Sequence, residues 1–419
     1  MNNFIKKTEI GFIPLDWEIE KDFLKIKSGF GFKLKEYTES GVPLIRIDNV
    51  GYGKITDENL CYLPKSYLEK YKNFTLKKGD ILLALNRPIT NNQLKIGKVN
   101  TEPAILYQRV GCIESINDSF LLDFYYFYLQ SPIFIKKLSS ILVGSDQPYI
   151  KSSEFSKIYF PQPPFKEQKK IASILSIVDE LIENTDHLIN SYTLLKNGLM
   201  QTLLTKGIGH TKFKKTEVGE IPEEWEVKRL NEISIKMQSG GTPLSTIRDY
   251  YNGDIPFVKV EDITNSGKYL KSTLTKISIL GLKNSSAWIV PINSILYSMY
   301  ASIGFLSINK IEVSTNQAVI NIIVNNKIAI IEYIYYQLLF MKNRILKFID
   351  QTTQKNLNAD KVRKFLIPIP KIEEQQKIAF ILSAVDNYID IYKEKRVYLN
   401  LLKKGLMQQL LTGKIRVKV

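Results

Sequence analysis

Cysteine and histidine are scarce in this 419-residue sequence, which holds two of each. Cys61 and Cys112 stand far apart, so neither a disulfide framework nor a cysteine-rich zinc site is expected. We interpret His187 and His210 as solvent-facing residues without a nucleophile or a ligand partner. Metal-dependent and cysteine-dependent chemistry therefore has little to work with in this chain.

Long apolar runs are also missing. The most apolar stretches, 292–308 and 328–341, are interrupted by Ser, Asn, Gln or Glu and fall short of a membrane span. Residues 1–7 lack the apolar core of a signal peptide. We expect a soluble, cytoplasmic protein with no membrane partner.

Catalytic motifs are few. No phosphate-binding loop occurs. Gln162-Pro163-Pro164-Phe165 resembles the motif with which amino-methyltransferases hold a target amine, but proline also precedes the second copy of this region, where it suits a helix start. Glu167 to Lys169 with Asp146 loosely fits a nuclease metal site, yet the second copy, Glu374 to Gln376, lacks the lysine. We expect no catalytic residue, no metal and no bound cofactor.

The charge is one-sided. Lys and Arg number 58 against 42 Asp and Glu, for a formal net charge of +16. A basic excess of this size favours a polyanionic partner, because each neutralised phosphate releases condensed counterions.

One stretch occurs twice. Residues 167–179 return at 374–386, and Gly198 to Thr205 returns at 405–412. No proline interrupts either copy, so each predicts a helix roughly 60 Å long. Apolar residues at a spacing of 3.5 predict a coiled-coil seam. In the first copy these are Ile171, Ile174, Val178, Leu181, Leu188, Tyr192, Leu195 and Leu199, widened by Leu175, Ile182, Ile189 and Leu203; in the second they are Ile378, Ile381, Val385, Tyr388, Tyr392, Leu399, Leu402 and Leu406.

A second repeat opens each half, since residues 6–18 match 214–226. The chain therefore consists of two similar halves, each a globular stretch followed by a long helix. We assign a first globular domain to 1–160, a central helix to 161–208, a linker to 209–213, a second globular domain to 214–367 and a C-terminal helix to 368–419. We expect a nearly circular, pseudo-two-fold arrangement with neighbouring termini and antiparallel helices.

The globular stretches read as mixed α+β domains. Strands are predicted at 42–50, 80–85, 109–115, 255–263, 294–298, 305–308 and 318–324, with amphipathic helices at 120–142 and 330–348. The aromatic run from Phe124 to Tyr128 has the composition of a base-stacking platform, but its helical spacing favours core packing.

The order of short motifs resembles the specificity subunit of type I restriction-modification systems over essentially the whole chain. The paired openings around Trp17 and Trp225 carry this resemblance. So do Ser239-Gly240-Gly241-Thr242-Pro243, Thr315-Asn316-Gln317-Ala318, Gln354 to Asn358, and the Pro-x-Pro and Glu-Gln steps before each long helix. The first half lacks clear counterparts of the Gly-Gly-Thr-Pro and Thr-Asn-Gln motifs.

The resemblance implies two target-recognition domains, each reading half of a split double-stranded DNA sequence. It also implies docking of two methyltransferase subunits on the long helices, which would bring in a nuclease-translocase subunit. Catalysis and S-adenosylmethionine would belong to those partners, and this chain would not be an enzyme.

Base reading in the major groove requires Arg or Lys toward guanine and Asn or Gln toward adenine, on loops that can approach DNA. The candidate DNA-binding residues are Arg46, Arg87, Asn91, Asn92, Gln93, Gln108 and Arg109 in the first half, and Thr242, Arg248, Lys259, Asn316, Gln317, Gln354 and Asn358 in the second.

Two competing interpretations remain: a self-contained DNA methyltransferase or nuclease, and a coiled-coil scaffold that does not bind DNA.

Overall fold

The structure is a computed structural model that describes residues 5–300, 302–350 and 357–418. The chain divides into two compact units. Unit 1 comprises Met1–Thr185 together with Lys395–Val419, and unit 2 comprises Asp186–Glu394. Each unit contains one end of both long helices. No helix in the described ranges combines the length and the apolarity that a bilayer crossing requires.

Unit 1 is built on two four-stranded sheets, ordered β11-β8-β13-β4 and β6-β5-β12-β7, with three two-stranded pairs. Its described strands are β1 (Ile5–Thr8), β2 (Gly11–Pro14), β3 (Glu18–Glu20), β4 (Leu24–Ser28), β5 (Val42–Ile45), β6 (Cys61–Leu63), β7 (Thr75–Leu76), β8 (Ile81–Ala84), β9 (Ile89–Thr90), β10 (Gln93–Leu94), β11 (Ile96–Lys98), β12 (Ala104–Leu106), β13 (Val110–Ser115) and β14 (Phe160–Gln162). Its short helices are α1 (Tyr67–Lys70), α2 (Leu122–Leu129), α3 (Pro132–Ser139) and α4 (Ser152–Phe155).

Unit 2 repeats this plan with a five-stranded sheet, β18-β25-β22-β23-β20, and a three-stranded sheet, β21-β19-β24. The long helices are α5 (Phe165–Leu203) and α10 (Ile372–Leu410). The described strands are β15 (Phe213–Thr216), β16 (Gly219–Pro222), β17 (Glu226–Arg229), β18 (Ser234–Ser239), β19 (Ile255–Val258), β20 (Tyr269–Leu270), β21 (Thr275–Ile277), β22 (Ile295–Ser298), β23 (Leu306–Asn309), β24 (Ser314–Thr315), β25 (Val319–Val324) and β26 (Leu366–Ile369), and the helices are α6 (Val260–Ser266), α7 (Ile279–Lys283), α8 (Ile331–Asp350) and α9 (Ala359–Arg363).

Local chemistry corrects three predicted elements. The strand predicted at 42–50 ends at Ile45, and a 3₁₀ turn over Ile47–Asn49 follows. The single helix predicted at 120–142 is wrong, because Pro132 starts a new helix and the Ser131 hydroxyl accepts a hydrogen bond from the Phe134 N–H at 3.2 Å. The strand predicted at 255–263 ends at Val258, and α6 follows. The buried Asp262 carboxylate accepts from the Lys259 N–H at 2.8 Å, which turns the chain into that helix.

The aromatic run is core, as predicted. Phe124 to Tyr128 are buried in unit 1, and Tyr333 and Tyr336 are buried in unit 2. Tyr125 donates to the Pro161 carbonyl at 3.0 Å, and Tyr333 donates to the Pro368 carbonyl at 2.9 Å. The same hydrogen bond therefore ties the aromatic helix to the strand before the long helix in both units.

The two long helices run antiparallel within each unit. In unit 1, Lys403 forms an ion pair with Asp179 at 2.6 Å. In unit 2, Lys196 pairs with Asp386 at 2.6 Å, and Tyr192 stacks on Tyr388 and Tyr392. Rising numbers on α5 meet falling numbers on α10, which agrees with the predicted antiparallel helices.

The seam lies one residue later than predicted in the middle of α5. Leu181, Leu188 and Leu195 are 41%, 39% and 48% exposed, while the packed positions include Ile182, Thr185, Ile189 and Lys196. Two apolar stripes with the same spacing run side by side on this helix. The sequence alone could not tell which of them is buried.

The repeated Glu-Gln pair fastens each long helix to its own globular part. Glu167 accepts from the Trp17 indole N–H at 3.0 Å, and Glu374 accepts from that of Trp225 at 3.0 Å. Gln168 accepts from the Leu121 N–H, and Gln375 accepts from the Ile330 N–H. Glu167 is thus a structural acceptor, which explains the acidic residue that otherwise suggested a nuclease site.

The side chain that pairs with the repeated glutamate, Glu167 or Glu374, differs between the units. Arg416 donates to Glu167 at 2.8 Å and to Asp16 at 2.7 and 2.8 Å. In unit 2, His210 lies 3.0 Å from Glu374. His210 is therefore not the solvent-facing residue that we expected, because its ring packs on Trp225 and pairs with a carboxylate.

Candidate nucleic-acid interface

The loops of unit 1 that carry most candidate residues lie at neighbouring strand ends of its two four-stranded sheets. Strands β8 and β13 are antiparallel with Ala84 opposite Val110, so the loop after β8 lies beside the loop before β13. Strands β5 and β12 are parallel, and Tyr107 donates its N–H to the Ile45 carbonyl at 3.1 Å. This arrangement gathers a set that we call strand-end surface 1: Arg46, Arg87, Asn91, Asn92, Gln93, Gln108 and Arg109.

Three members of this surface also have structural tasks. Arg46 is half-buried and donates from its guanidinium to the Asn59 carbonyl at 3.2 Å. Asn91 and Asn92 form the two-residue turn between β9 and β10, with φ of 50° and 58°. Such a turn needs positive φ at both positions, and Asn tolerates it. Gln93 and Gln108 are exposed.

Two tyrosines, Tyr37 and Tyr107, lie close to Arg46. Burial first, and then a hydrogen bond with Tyr107, raise the pKa of Tyr37 to about 12. The Tyr37 phenol consequently stays neutral at physiological pH and adds no negative charge beside Arg46.

Unit 2 forms the corresponding strand-end surface 2, which contains Thr242, Lys259, Asn316 and Gln317. The Asn316 N–H donates to the Val258 carbonyl at 3.2 Å, which places it beside Lys259. The Thr242 hydroxyl donates to the Gln317 side-chain oxygen. The Asn316 side-chain oxygen is buried and has no hydrogen-bond partner among the residues described. A buried amide oxygen without a partner is uncommon in folded proteins.

Two further predicted residues of unit 2 lie on other elements. Arg248 is exposed at the start of a 3₁₀ turn. The side chain of Asn358 caps α9 by accepting from the Lys361 N–H at 2.9 Å. Gln354 lies outside the residues that the structure describes.

Sequence reasoning missed one loop of strand-end surface 1. Residues 144–148 project between Val143 and Tyr149, which form a β-bridge, and the Pro148 carbonyl accepts from the Arg87 N–H at 2.7 Å. Ser145, Asp146 and Gln147 are exposed there. The Gly144 and Pro148 turn residues were the available signal.

Close approach of the backbone requires glycine at the same point of both units. A side chain at Gly29 would collide with the backbone of Leu106 and Tyr107, and one at Gly240 would collide with Thr315. The loop after β4 and the loop after β18 are thus pressed against the residues that precede the candidate readers Gln108 and Asn316.

A cleft of about 1070 Å³ lies within unit 2 and is lined by Lys196, Lys268 and Asp386. Lys268 donates to Ser383 at 2.7 Å, and Tyr336 donates to Asp386 at 2.6 Å. Burial lowers the pKa of Lys268. These groups bind one another, so the cleft has the character of a structural network. Within the described ranges, no group of His, Cys, Asp and Glu side chains is arranged to hold a metal ion.

Two repeated α+β units, each carrying a loop-built polar surface and joined through long helices, define a class of proteins with duplicated recognition domains. The family model described as the type I restriction modification DNA specificity domain matches residues 14–192 and 222–401. The chain therefore belongs to the type I restriction-modification specificity subunit family, as the sequence resemblance predicted.

Relatives in Methanocaldococcus jannaschii agree with this assignment. The chain is 32% identical to the protein named for the type I restriction enzyme MjaX specificity subunit, with 99% of this chain and 97% of that protein covered. It is 45% identical to the MjaVIII specificity subunit over 204 residues, which is 48% of either chain. The EcoBI specificity subunit of Escherichia coli is 26% identical, with 87% of this chain and 78% of that protein covered.

The fold also matches a solved structure. The type I restriction-modification S subunit from M. genitalium superposes with a TM-score of 0.63 at 16% identity, covering 98% of this chain and 97% of that one. At this identity the likeness concerns the fold alone, and it confirms the predicted mixed α and β architecture with two repeated units.

Proposed function

We propose that this chain is the non-catalytic subunit that selects the DNA target of a type I restriction-modification complex, and that the target is bipartite. Each unit reads one half-site through its strand-end surface. The observation that carries this proposal is a difference between two equivalent surfaces. Both lie at equivalent strand ends of the repeated fold, yet they display different side chains. Two unlike readers on one chain suit a target made of two unlike halves.

The long helices supply docking sites for two methyltransferase subunits. Exposed apolar residues flank the seam in both units: Ile177, Leu181, Tyr398 and Leu402 in unit 1, and Leu188, Leu195, Tyr388 and Ile391 in unit 2. Exposed apolar stripes of this kind favour protein partners, and their occurrence in both units favours two copies. S-adenosylmethionine and adenine methylation belong to those partners in the cytoplasm, and a nuclease-translocase subunit joins through them.

Methylation mapping tests the proposal. In a host that expresses this chain with its methyltransferase subunits, single-molecule sequencing is expected to show two short specified blocks separated by an unspecified spacer. A single uninterrupted motif would contradict the bipartite target.

The competing functions have their own readouts. A self-contained methyltransferase would bind labelled S-adenosylmethionine as the purified chain alone. A scaffold without DNA-binding activity would leave the affinity of the assembled complex for DNA independent of sequence at every salt concentration.

A further inference from the structure

Two arginines of strand-end surface 1 adopt a backbone conformation that arginine disfavours. Arg87 has φ of 46° and Arg109 has φ of 68°. The two lie on adjacent loops, because the Leu85 N–H donates to the Arg109 carbonyl at 2.9 Å. Both side chains are exposed. A left-handed conformation at a residue with a Cβ is strained, so something other than the local fold must favour arginine here.

The backbone itself does not need arginine at either place. Leu85 and Pro148 bind only main-chain atoms of Arg109 and Arg87, and asparagine or glycine would keep those bonds with less strain. The same surface already uses Asn91 and Asn92 where positive φ is required for a turn. The arginine side chains are therefore retained for what they present to the outside.

Their guanidinium groups are also free. Neither Arg87 nor Arg109 has a side-chain hydrogen bond or an ion pair within the described part of the chain. By contrast, Arg46, Arg363 and Arg416 all donate to protein oxygens. A free, exposed guanidinium keeps its full planar set of donors for a ligand.

Unit 2 lacks arginine at the place equivalent to Arg109. Ala318 directly precedes β25, as Arg109 precedes β13, and Ser298 lies opposite Val319 as Ala84 lies opposite Val110. At this place the difference is therefore specific to one half of the molecule.

We propose that Arg87 and Arg109 are specificity-determining residues of unit 1, each reading a guanine in the half-site that this unit binds. Arginine is the side chain whose forked donors match the O6 and N7 acceptors of guanine in the major groove. This inference rests on the proposed function.

A chemical double-mutant cycle tests the inference. In the complex with its methyltransferase subunits, the wild-type chain is compared with Arg87→Gln and Arg109→Gln on duplexes of the mapped target. Each guanine is replaced in turn by 7-deazaguanine, which removes N7 and keeps base pairing. Because 7-deazaguanine keeps O6, it removes one of the two hydrogen bonds of a bidentate contact, so wild-type binding should weaken by less than the roughly 5- to 150-fold that loss of the whole contact would cause. We expect each variant to be insensitive to one particular substitution in the same half-site.

Arg109→Lys and Arg229→Gln are the controls. Lysine keeps the charge but lacks the planar fork, so a base reader keeps only a weakened guanine preference, whereas a phosphate contact survives unchanged. Arg229 is an exposed arginine at the end of β17, and its replacement should leave every guanine effect unchanged.

The outcomes separate the two levels of the argument. A wild-type complex that does not discriminate between DNA sequences contradicts the proposed function. A complex that discriminates, but whose arginine variants stay as sensitive to every 7-deazaguanine as the wild type, overturns the guanine assignment alone. Uniform weakening on all sequences, with the salt slope reduced by about one, would identify phosphate contacts and would also overturn it.

Thermal unfolding provides a readout independent of DNA. Arg109→Asn relieves the left-handed strain, so we expect the melting temperature of unit 1 to rise by about 1 to 4 °C while guanine preference is lost. A fall in melting temperature would indicate that Arg109 is held there for stability and would count against the inference.

Discussion

Glu167 in unit 1 and Glu374 in unit 2 hold the same position in the repeat and accept the same tryptophan hydrogen bond, but the side chains paired with them differ. Arg416 bridges Glu167 and Asp16, whereas the His210 ring pairs with Glu374. The strand-end surfaces diverge much further, with Arg109 in unit 1 and Ala318 at the matching place in unit 2. The comparison shows that the duplicated parts support the helices, while the divergent parts face outward.

Removing the shared carboxylate should have the largest effect. Glu167→Ala leaves the buried Trp17 N–H without an acceptor and releases Arg416, so we expect a loss of about 2–4 kcal/mol in the unfolding free energy of unit 1. Glu374→Ala should cost unit 2 about 1–3 kcal/mol, because one His210 nitrogen faces this carboxylate where two Arg416 nitrogens face Glu167. Hydrogen exchange with mass spectrometry resolves the units separately, and Glu180→Ala on the exposed face of α5 is the control. Equal losses in both units would break the comparison.

The two ion pairs of the helix seam hold matching positions in the two units, but we expect their removal to lower the unfolding free energy by different amounts. Lys196→Met leaves Asp386 with the Tyr336 hydroxyl at 2.6 Å and with Lys268 nearby. Lys403→Met removes the ion pair of Asp179 in unit 1. We expect losses of about 0.5–1 kcal/mol and about 1–2 kcal/mol respectively in urea unfolding. If Lys196→Met proves the more damaging, Lys268 does not compensate as inferred.

Acid titration tests the contribution of the Arg416–Asp16 pair to the stability of unit 1. The hydrogen bonds from Arg416 hold the pKa of Asp16 below its ordinary value of 3.8. A lowered carboxyl pKa stabilises the fold above the unfolded-state value, and this contribution disappears as pH falls through the lowered value. Arg416→His should therefore destabilise unit 1 by about 1 kcal/mol at pH 6, with the difference shrinking below about pH 4. A difference that grows on acidification would be inconsistent with this coupling.

Circular permutation should have the smallest effect. The segment after α10 lies against the opening of the first half, as Arg416 with Asp16 demonstrates, just as the segment after α5 lies against the opening of the second half, as His210 with Trp225 demonstrates. A chain opened within residues 209–213 and joined from residue 419 to residue 1 should fold with a stability change of about 1 kcal/mol or less and methylate the same motif. An opening within β13 is the matched control, and failure of only the first permutant would contradict the equivalence of the two junctions.

The repeat and the long helices could be predicted because a 3.5-residue spacing without proline permits few other structures. The seam register could not, since Leu181 and Ile182 offer equally apolar stripes and the packed positions include Lys196. The sheet edges were predictable only as polar loops between apolar strands. What the sequence hides is the division of labour within those loops. Asn91 and Asn358 turned out to shape the backbone, and the loop around Gln147 reached the surface only through a contact with Arg87.

Unit 1 is discontinuous along the chain, and this has a consequence for synthesis. A ribosome completes Asp186–Glu394 as one uninterrupted segment, but the first 185 residues must wait for Lys395–Val419 before their part of α5 gains its antiparallel helix. At about 5–20 residues per second, the intervening 209 residues take roughly 10–40 s to make. Throughout that interval the earlier-made unit is the unfinished one, and a chaperone that binds the nascent protein would be expected to protect the beginning of the chain rather than its middle.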